Sequence, residues 1–393
     1  MIRHLFKLIW NRKKSNFLLI TEIFFCFLVL FGVLSLVVYN VRNYNKPLGF
    51  EHENVWLLSM RPSADSAALN HQNLEQVVQQ VRAYPEVAYA ALTTSNAPFA
   101  FSQMTNNLSY GNKRSTQADH YEVDDAYADV LQVQLSQGRW FGPEDNAAHH
   151  EPIVINREMQ RQLFGEEEPL GKLVPKNDSV NYQVVGVVNH FRGYSEYAAE
   201  RPVYFGRISL QQSDQSFWGE LLIRVKPGTG VAFEEKMVRE LSGIGKDWTL
   251  EVAALEKMRQ NKSKLTMVPM IALGLVCGFL IFNVALGLFG VLWYNISRRN
   301  GEIGLRRAMG ASSGQVYRQF IGEVLVLATF ALLLGVAFAI QFPLLQVFQV
   351  ESAVYFVALG IAVAVIYLLA VGCAFYPSRQ AAAIHPAIAL HEE

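Results

Sequence analysis

Ser297–Phe320, SRRNGEIGLRRAMGASSGQVYRQF, is a short basic segment between two long apolar runs. Arg298, Arg299, Arg306, Arg307 and Arg318 set five positive charges against the single Glu302. In so short a loop, this excess of arginine assigns the segment to the cytoplasmic side of a membrane. Glu302 stands four residues before Arg306, the favourable order for a helical ion pair, and Leu305, Ala308 and Met309 share an apolar face at i, i+3 and i+4. Gly310 is placed to stop that helix, and Ser312 followed by Gln315 is a capping box able to start the next. The stretch therefore predicts helix, glycine stop, helix restart, an elbow between a membrane helix and something cytosolic. The same arginines also fit a plain loop whose side chains reach lipid headgroups.

Working outward, four apolar segments are long enough to span a bilayer: Phe17–Tyr39, Thr266–Tyr294, Phe320–Phe342 and Val354–Phe375. At 1.5 Å rise per residue each exceeds the ~30 Å hydrocarbon core. Arg3, Lys7, Arg12, Lys13 and Lys14 precede the first, but its apolar run is too long for a secretory signal and no A-x-A site follows. The basic flanks fall on one side, which predicts both termini inside and the link Gln341–Ala353, carrying Glu351, outside. The expected order is a cytoplasmic segment 1–16, span 17–39, an extracytoplasmic region 40–265, span 266–294, a loop 295–319, span 320–342, an external loop 343–353, span 354–375 and a cytoplasmic tail 376–393. Glu22 and Glu323 lie inside apolar runs, where a carboxylate is costly unless it pairs or reaches water, and both readings are open. Gly274 and Gly278, at GxxxG spacing in the second span, allow close approach of a helix from this chain or from a second copy.

With 393 residues and 51% apolar content, the chain is long enough for a membrane part and a further domain. Its zero net charge hides an asymmetry. Residues 41–262 hold 22 Lys+Arg and 28 Asp+Glu, a net of −6, and the remainder holds 12 and 6, a net of +6. The acidic part does not suggest a nucleic-acid partner, whereas the basic part suits anionic lipid. Cys26, Cys277 and Cys373 each lie in an apolar run, so the polar region must hold together by its own core.

That region repeats one order of elements. Val55–Met60 reads as a strand, Asn73–Ala83 as a helix and Val87–Thr93 as a strand; the order returns in Leu221–Val225, Val231–Leu241 and Trp248–Ala253. Two βαβ units predict a ferredoxin-like lobe over about 50–98 plus 207–255, with a second lobe inserted at about 99–206 and a charged stalk at 256–265. Within the insertion, Ile153–Ile155 is a short buried strand, Asn156 caps a helix Arg157–Phe164, Gly165 ends it, and Tyr182–Val188 is an interior strand. The expected fold class is a multi-pass α-helical membrane protein with four transmembrane helices and a large α+β extracytoplasmic domain between spans 1 and 2.

The segment GEIGLRRAMGAS followed by an apolar helix resembles the signature of the MacB/FtsX-like permeases, the membrane half of a class of ABC systems. The order of YEVDDAYADVLQVQLSQGRWF, PIVINREMQRQLFG, PLGKLV and YQVVGVVNHF is similar to MacB-type extracytoplasmic domains. So is the closing pattern carried by Pro377, Arg379, Ala381, Pro386, Ala389 and Leu390. By its own residues this tail predicts a short interfacial helix after the fourth span, with Pro377 in its first turn and Pro386 at its end. The resemblance implies that Arg298, Arg299, Glu302, Ile303, Leu305, Arg306, Arg307, Met309 and Gly310 couple to an ATPase, with Pro377, Arg379, Pro386 and Leu390 close to it. It implies a bacterial inner-membrane permease with its large domain in the periplasm, working as a pair with a second copy or a paralogue. ATP and Mg would be used by a separate ATPase subunit and no cofactor bound directly. Efflux or export of a drug, peptide or lipoprotein by movement of the outer domain is the function implied, with a periplasmic adaptor and outer-membrane channel as further partners. Control of a cell-wall hydrolase is an alternative within the family, and a receptor without an ATPase is an alternative of another class.

No G-x-x-x-x-G-K-[ST] phosphate loop occurs; LSGIGKDW at Leu241–Trp248 lacks the first glycine and the Ser/Thr. His149 and His150 have no H-x-x-x-H or C-x-x-C companion, and no G-x-S-x-G element marks a nucleophile. The sequence therefore predicts no catalytic, metal or cofactor site of its own.

Overall fold

Continuous apolar runs form helices and alternating patterns form strands, and the two kinds of segment separate into two units. The structure, a computed structural model, describes residues 13–62, 71–93, 96–101, 103–176, 180–208, 219–245 and 248–383. One unit comprises residues 1–42 and 267–393, the other residues 43–266.

The first unit holds four helices long and apolar enough to cross a membrane. They are α1 (Lys13–Tyr44), α6 (Leu255–Ser297, which begins in the other unit), α8 (Ser313–Ala339) with a short continuation α9 (Gln341–Leu344), and α10 (Ser352–Ala383). Ala358, Ala362, Ala370 and Ala374 lie on one face of α10 at multiples of four, all buried, and this stripe of small side chains lets α8 approach closely. Gly335 of α8 serves the same end, because a Cβ there would strike the ring of Phe27. Thr329 and Tyr367 share a hydroxyl hydrogen bond of 3.0 Å between the two helices. The link ahead of α10 is held by Tyr355 Oη donating to the Val347 carbonyl at 2.7 Å and by an Arg42–Glu351 ion pair of 2.6 Å.

One expectation for this unit is corrected. Pro377 does not open a separate interfacial helix; it lies inside α10, which runs on to Ala383. A proline inside a helix forfeits one backbone hydrogen bond. Burial of Ser378 and Ala381 on the same turns keeps the helix going.

In the second unit, β1 (Val55–Pro62), α2 (His71–Ala83) and β2 (Val87–Thr93) are followed by β3 (Ala118–Val123), α3 (Tyr127–Leu131) and β4 (Leu135–Gly138). Next come β5 (Glu151–Asn156), α4 (Arg157–Leu163), β6 (Asn181–Val188), β7 (Val203–Arg207), β8 (Gly219–Val225), α5 (Val231–Leu241) and β9 (Trp248–Ala254). Strands β9, β1, β8 and β2 lie side by side in that order, every neighbour antiparallel, which is the ferredoxin-like arrangement of two βαβ units. Helices α2 and α5 bury Val77, Val81, Phe233 and Met237 on one face of these strands, against Leu58, Met60, Leu221 and Ile223.

The inserted lobe does not form a sheet of its own. Its strands β3, β7, β5, β6 and β4 continue outward from β2, so that one sheet runs through both lobes. The join is narrow among the described residues: a single pair, Thr93 with Val123, links β2 to β3. Asp124 reinforces it, accepting from Leu92 N at 3.0 Å and Arg82 Nη2 at 2.9 Å while its own amide donates to the Leu92 carbonyl. In the lobe, Asn156 caps α4 by accepting from Met159 N at 2.9 Å, and Gly165 follows with φ +68°.

Burial pushes the carboxyls of Asp119 and Asp124 up to about 6 and that of Glu220 to about 7, and holds His120 down at about 4. At pH 5 the folded chain therefore holds protons on these carboxyls that the unfolded chain has largely lost, and it gives them up, with the stabilisation they confer, as pH rises through 6 to 7. His120 opposes them, because the unfolded chain binds its proton below 6.5 and the folded chain does not until about 4. Three groups outweigh one. The stability of the purified chain should fall as pH rises from 5 to 7, by roughly 1–2 kcal/mol per pH unit, and its unfolding midpoint should fall with it. A scan of intrinsic fluorescence against temperature at several pH values reads it, and a midpoint rising over that window would contradict the assignment.

Candidate functional site

The elbow at Ser297–Phe320 is built from three locally determined pieces. A short helix α7 (Asn300–Ala308) follows α6 after one turn, Gly310 leaves it with φ +99°, and Ser312 begins α8. The capping box closes both ways, with Gln315 N donating to Ser312 Oγ at 3.3 Å and Ser312 N to Gln315 Oε1 at 3.1 Å.

Two sets of contacts tie α7 to the membrane helices. The first is apolar: Ile303 packs in a buried cluster with Ile296 of α6, Val316 and Phe320 of α8, and Ala381 of α10. The second is a polar chain. Arg306 donates to Glu302 Oε1 at 2.5 Å and to Gln319 Oε1 at 2.9 Å; Gln319 donates to Glu323 Oε1 at 3.2 Å; Arg299 donates to both oxygens of Glu323, at 3.0 and 3.3 Å. The Arg299 and Glu323 side chains are only 10% and 15% exposed, so this is a buried pair rather than a surface one.

With Ile303 and Gly304 turned inward, the opposite side of α7 is left open. Leu305 is 50% exposed and Met309 73%. Arg298 is also exposed and lies 5.5 Å from the ring centroid of Tyr294. The result is a short amphipathic helix whose inner face is fixed to three membrane helices and whose outer face carries two large apolar side chains beside arginines. It can bear on a partner but contains no nucleophile or acid–base pair. No group of three or more metal-ligand side chains occurs among the described residues, and His149 and His150 meet edge to face with ring centroids 4.7 Å apart.

The MacB-like periplasmic core domain matches residues 23–240, more than half of the chain, and the FtsX-like permease C-terminal domain matches residues 273–386. The chain belongs to the MacB/FtsX-like permease family. Among relatives of this permease, a macrolide export ATP-binding/permease protein MacB from Wolinella succinogenes is 25% identical over 285 residues, 68% of this chain and 42% of that protein. The ABC transporter permease YknZ of Bacillus subtilis is 23% identical over 227 residues, 57% of each chain. The permease thus spans about half the length of these curated relatives. The crystal structure of the periplasmic region of MacB from Actinobacillus actinomycetemcomitans aligns with 56% of this chain and 95% of its own at 16% identity and a TM-score of 0.41.

The remaining sequence-predicted positions of the permease are scattered. Pro377 is buried inside α10 and Arg379 is exposed on it, whereas Pro386 and Leu390 lie outside the described residues. Gly274 and Gly278 pack against nothing among the described residues: a Cβ at either meets open space. Gly287, further along α6, is the glycine that receives a neighbour, the Glu22 carboxylate. Glu22 and Glu323, alike in sequence, therefore differ: one lies against the second span, the other anchors Arg299.

A second polar cluster, inside residues 43–266, had no sequence signal. The loop Arg192–Glu200 holds two helix ends. Glu196, buried, accepts from Ser263 Oγ at 2.5 Å and Arg259 Nη1 at 2.8 Å, both on α6, and Arg259 also forks onto Glu256 at 3.0 Å. On α1, Asn43 donates to the Tyr197 carbonyl at 3.1 Å and Tyr44 stacks on Tyr197. Arg192 closes the loop, donating to the carbonyls of Lys46, Glu196 and Ala198. These partners are far apart in the chain and lie on no helical or strand period, which is why the sequence did not reveal them.

Proposed function

We propose that this permease is the membrane subunit of an ABC system and that α7 is the surface on which a cytosolic ATPase subunit docks. One observation carries the reading: α7 is fixed to α6, α8 and α10 on its inner face while presenting Leu305 and Met309 outward. A helix so anchored passes a push to three spans at once. The arginine excess around it supports a cytoplasmic position for it, with both termini on that side and the 43–266 unit outside. The naming of the Bacillus subtilis relatives as permeases supports an ATPase on another chain. Closure of the ATPase pair would press on α7 of two permease copies, tilt the spans and move the outer domains. The MacB relatives are named for macrolide export, and efflux or export of a drug, peptide or lipoprotein is the work proposed for this system.

Converting both exposed apolar side chains, Leu305→Asp with Met309→Asp, should remove the ATPase from the purified permease without altering its folding. Mild-detergent purification, mass spectrometry of what accompanies the chain, and vanadate-sensitive ATP turnover of the product read the result. A P-loop subunit bound to wild type and lost from the double variant supports the reading. Full retention, or no P-loop subunit with wild type, overturns it.

A further inference from the structure

The four ferredoxin-like strands have one face under α2 and α5. Part of the other face is covered too, where Leu57, Leu222 and Ala91 pack with Phe50, Phe99 and Leu255. Further along β1 that cover stops, and a cavity of about 600 Å³ opens over the sheet. Its floor holds a polar row. Ser59 on β1 is the cross-strand partner of Glu220 on β8 and of Glu251 on β9, so two carboxylates flank one serine on three adjacent strands. Arg61, two residues on, lies in the same wall, and the rest of the lining is apolar, with Phe101, Ala253 and Met258 prominent.

Two features of this cavity are out of place for a plain surface hollow. Oε2 of Glu220 is buried and accepts no hydrogen bond among the described residues. Such an acceptor costs about 1–3 kcal/mol, and a donor entering the cavity would remove that cost. Phe101 is 66% exposed at the edge. An aromatic ring beside carboxylates is attractive to a cation on electrostatic grounds.

We propose that this cavity binds a cationic amphiphile, a protonated amine on a rigid apolar body, with the ammonium at Glu220 and Glu251 and the body against Phe101, Ala253 and Met258. The volume lies in the range of pockets that take drug-sized molecules. The sign of the ligand follows from the charges facing Glu220. Glu251 stands across Ser59; Arg61 is the cation in the lining, and Lys262 of α6 is engaged elsewhere, donating to the Ala100 carbonyl at 2.9 Å. Two carboxylates outweigh one guanidinium. Burial keeps Glu220 at about 7, so a bound cation ionises it and releases a proton, whereas a bound anion would draw one in. The site goes beyond the coupling reading and does not depend on it, because binding is measured without ATP or ATPase.

Rhodamine 6G, a rigid cationic dye, and fluorescein, an anion on a similar ring system, separate the possibilities. Fluorescence anisotropy with the full chain in lipid nanodiscs, corrected for empty nanodiscs, should show saturable binding of rhodamine 6G. The affinity should be roughly tenfold higher at pH 8 than at pH 6, as the ionised fraction of Glu220 rises. Glu220→Gln and Glu251→Gln should each weaken binding at least tenfold, and Ala253→Trp, which fills the cavity, should abolish it. Glu220→Gln mimics the protonated carboxyl, so it should fold, and its unfolding midpoint checks that. The proposal is overturned by absence of saturable binding to wild type, by unchanged affinity in both glutamine variants, or by tighter binding of fluorescein.

Discussion

Glu323→Ala is expected to abolish ATP-driven stimulation of the permease complex while leaving its four helices inserted. The substitution leaves Arg299, one-tenth exposed, without its carboxylate, and deprives Gln319 of an acceptor. Removing one partner of a buried ion pair costs about 3–5 kcal/mol because the other charge stays buried. That sum is comparable with all that holds a nine-residue helix in place, so α7 should detach from α8. Coupled turnover should fall by two orders of magnitude or more, since each ~1.4 kcal/mol is a factor of ten. Limited proteolysis of the elbow should become rapid in parallel. Glu323→Gln retains shape and one acceptor and should fall between. Reversal of the pair, Arg299→Glu with Glu323→Arg, should recover part of the loss. If Glu323→Ala gave wild-type turnover and wild-type proteolysis, the pair would be an incidental contact and α7 would be held by Ile303 and its apolar neighbours alone.

The second large effect should come from Glu196→Ala, and it should have the opposite signature. Glu196 joins Ser263 and Arg259 of α6 to the loop that also receives Asn43 and Tyr44. Hydrogen bonds to a charged group contribute about 1.5–3 kcal/mol, so a drop of roughly 4–10 °C in the unfolding midpoint of this unit is expected. ATPase docking should persist, because the elbow is untouched. What should disappear is the response outside: spin labels placed on β4 and on α5 of paired copies should no longer change separation on ATP turnover. Glu196→Gln keeps an acceptor for Ser263 and should retain part of the response. Label movements equal to wild type in Glu196→Ala would remove the loop from any role in transmission.

How much of this was legible in the sequence follows the range of each interaction. Ser312 and Gln315 are three residues apart and Glu302 and Arg306 four, so the caps and the ion pair of the elbow were readable directly. The ferredoxin-like lobe was readable because its elements repeat in order, and periodicity records which face of each is buried. Arg299 and Glu323 stand 24 residues apart across a turn, and nothing local distinguishes Glu323 from Glu22. The continuous sheet was invisible for a similar reason, since it depends on one pair, Thr93 and Val123, that no strand pattern specifies. Pro377 was misread where tertiary packing of Ser378 and Ala381 overrode a local helix-start preference. The glycines at 274 and 278 announced a close approach, but a spacing names no neighbour, and none lies among the described residues.

The junction at Thr93 and Val123 also has a mechanical meaning. A sheet resists bending in proportion to the rungs that cross the line of bending. On either side of this seam the strands share five or more paired positions, β8 with β2 and β7 with β3; at the seam there is one among the described residues, braced by the Asp124 carboxylate. The loop at Glu196 lies between β6 and β7 of the inserted lobe, so load entering there would meet this seam on its way through the sheet to the ferredoxin-like strands. Such a load would concentrate at the seam, and the angle between the two half-sheets is the coordinate expected to yield first. Asp124 sets its spring constant through bonds to Leu92 and Arg82. The acidity of one buried side chain would thereby tune how far the outer lobe swings for a given push.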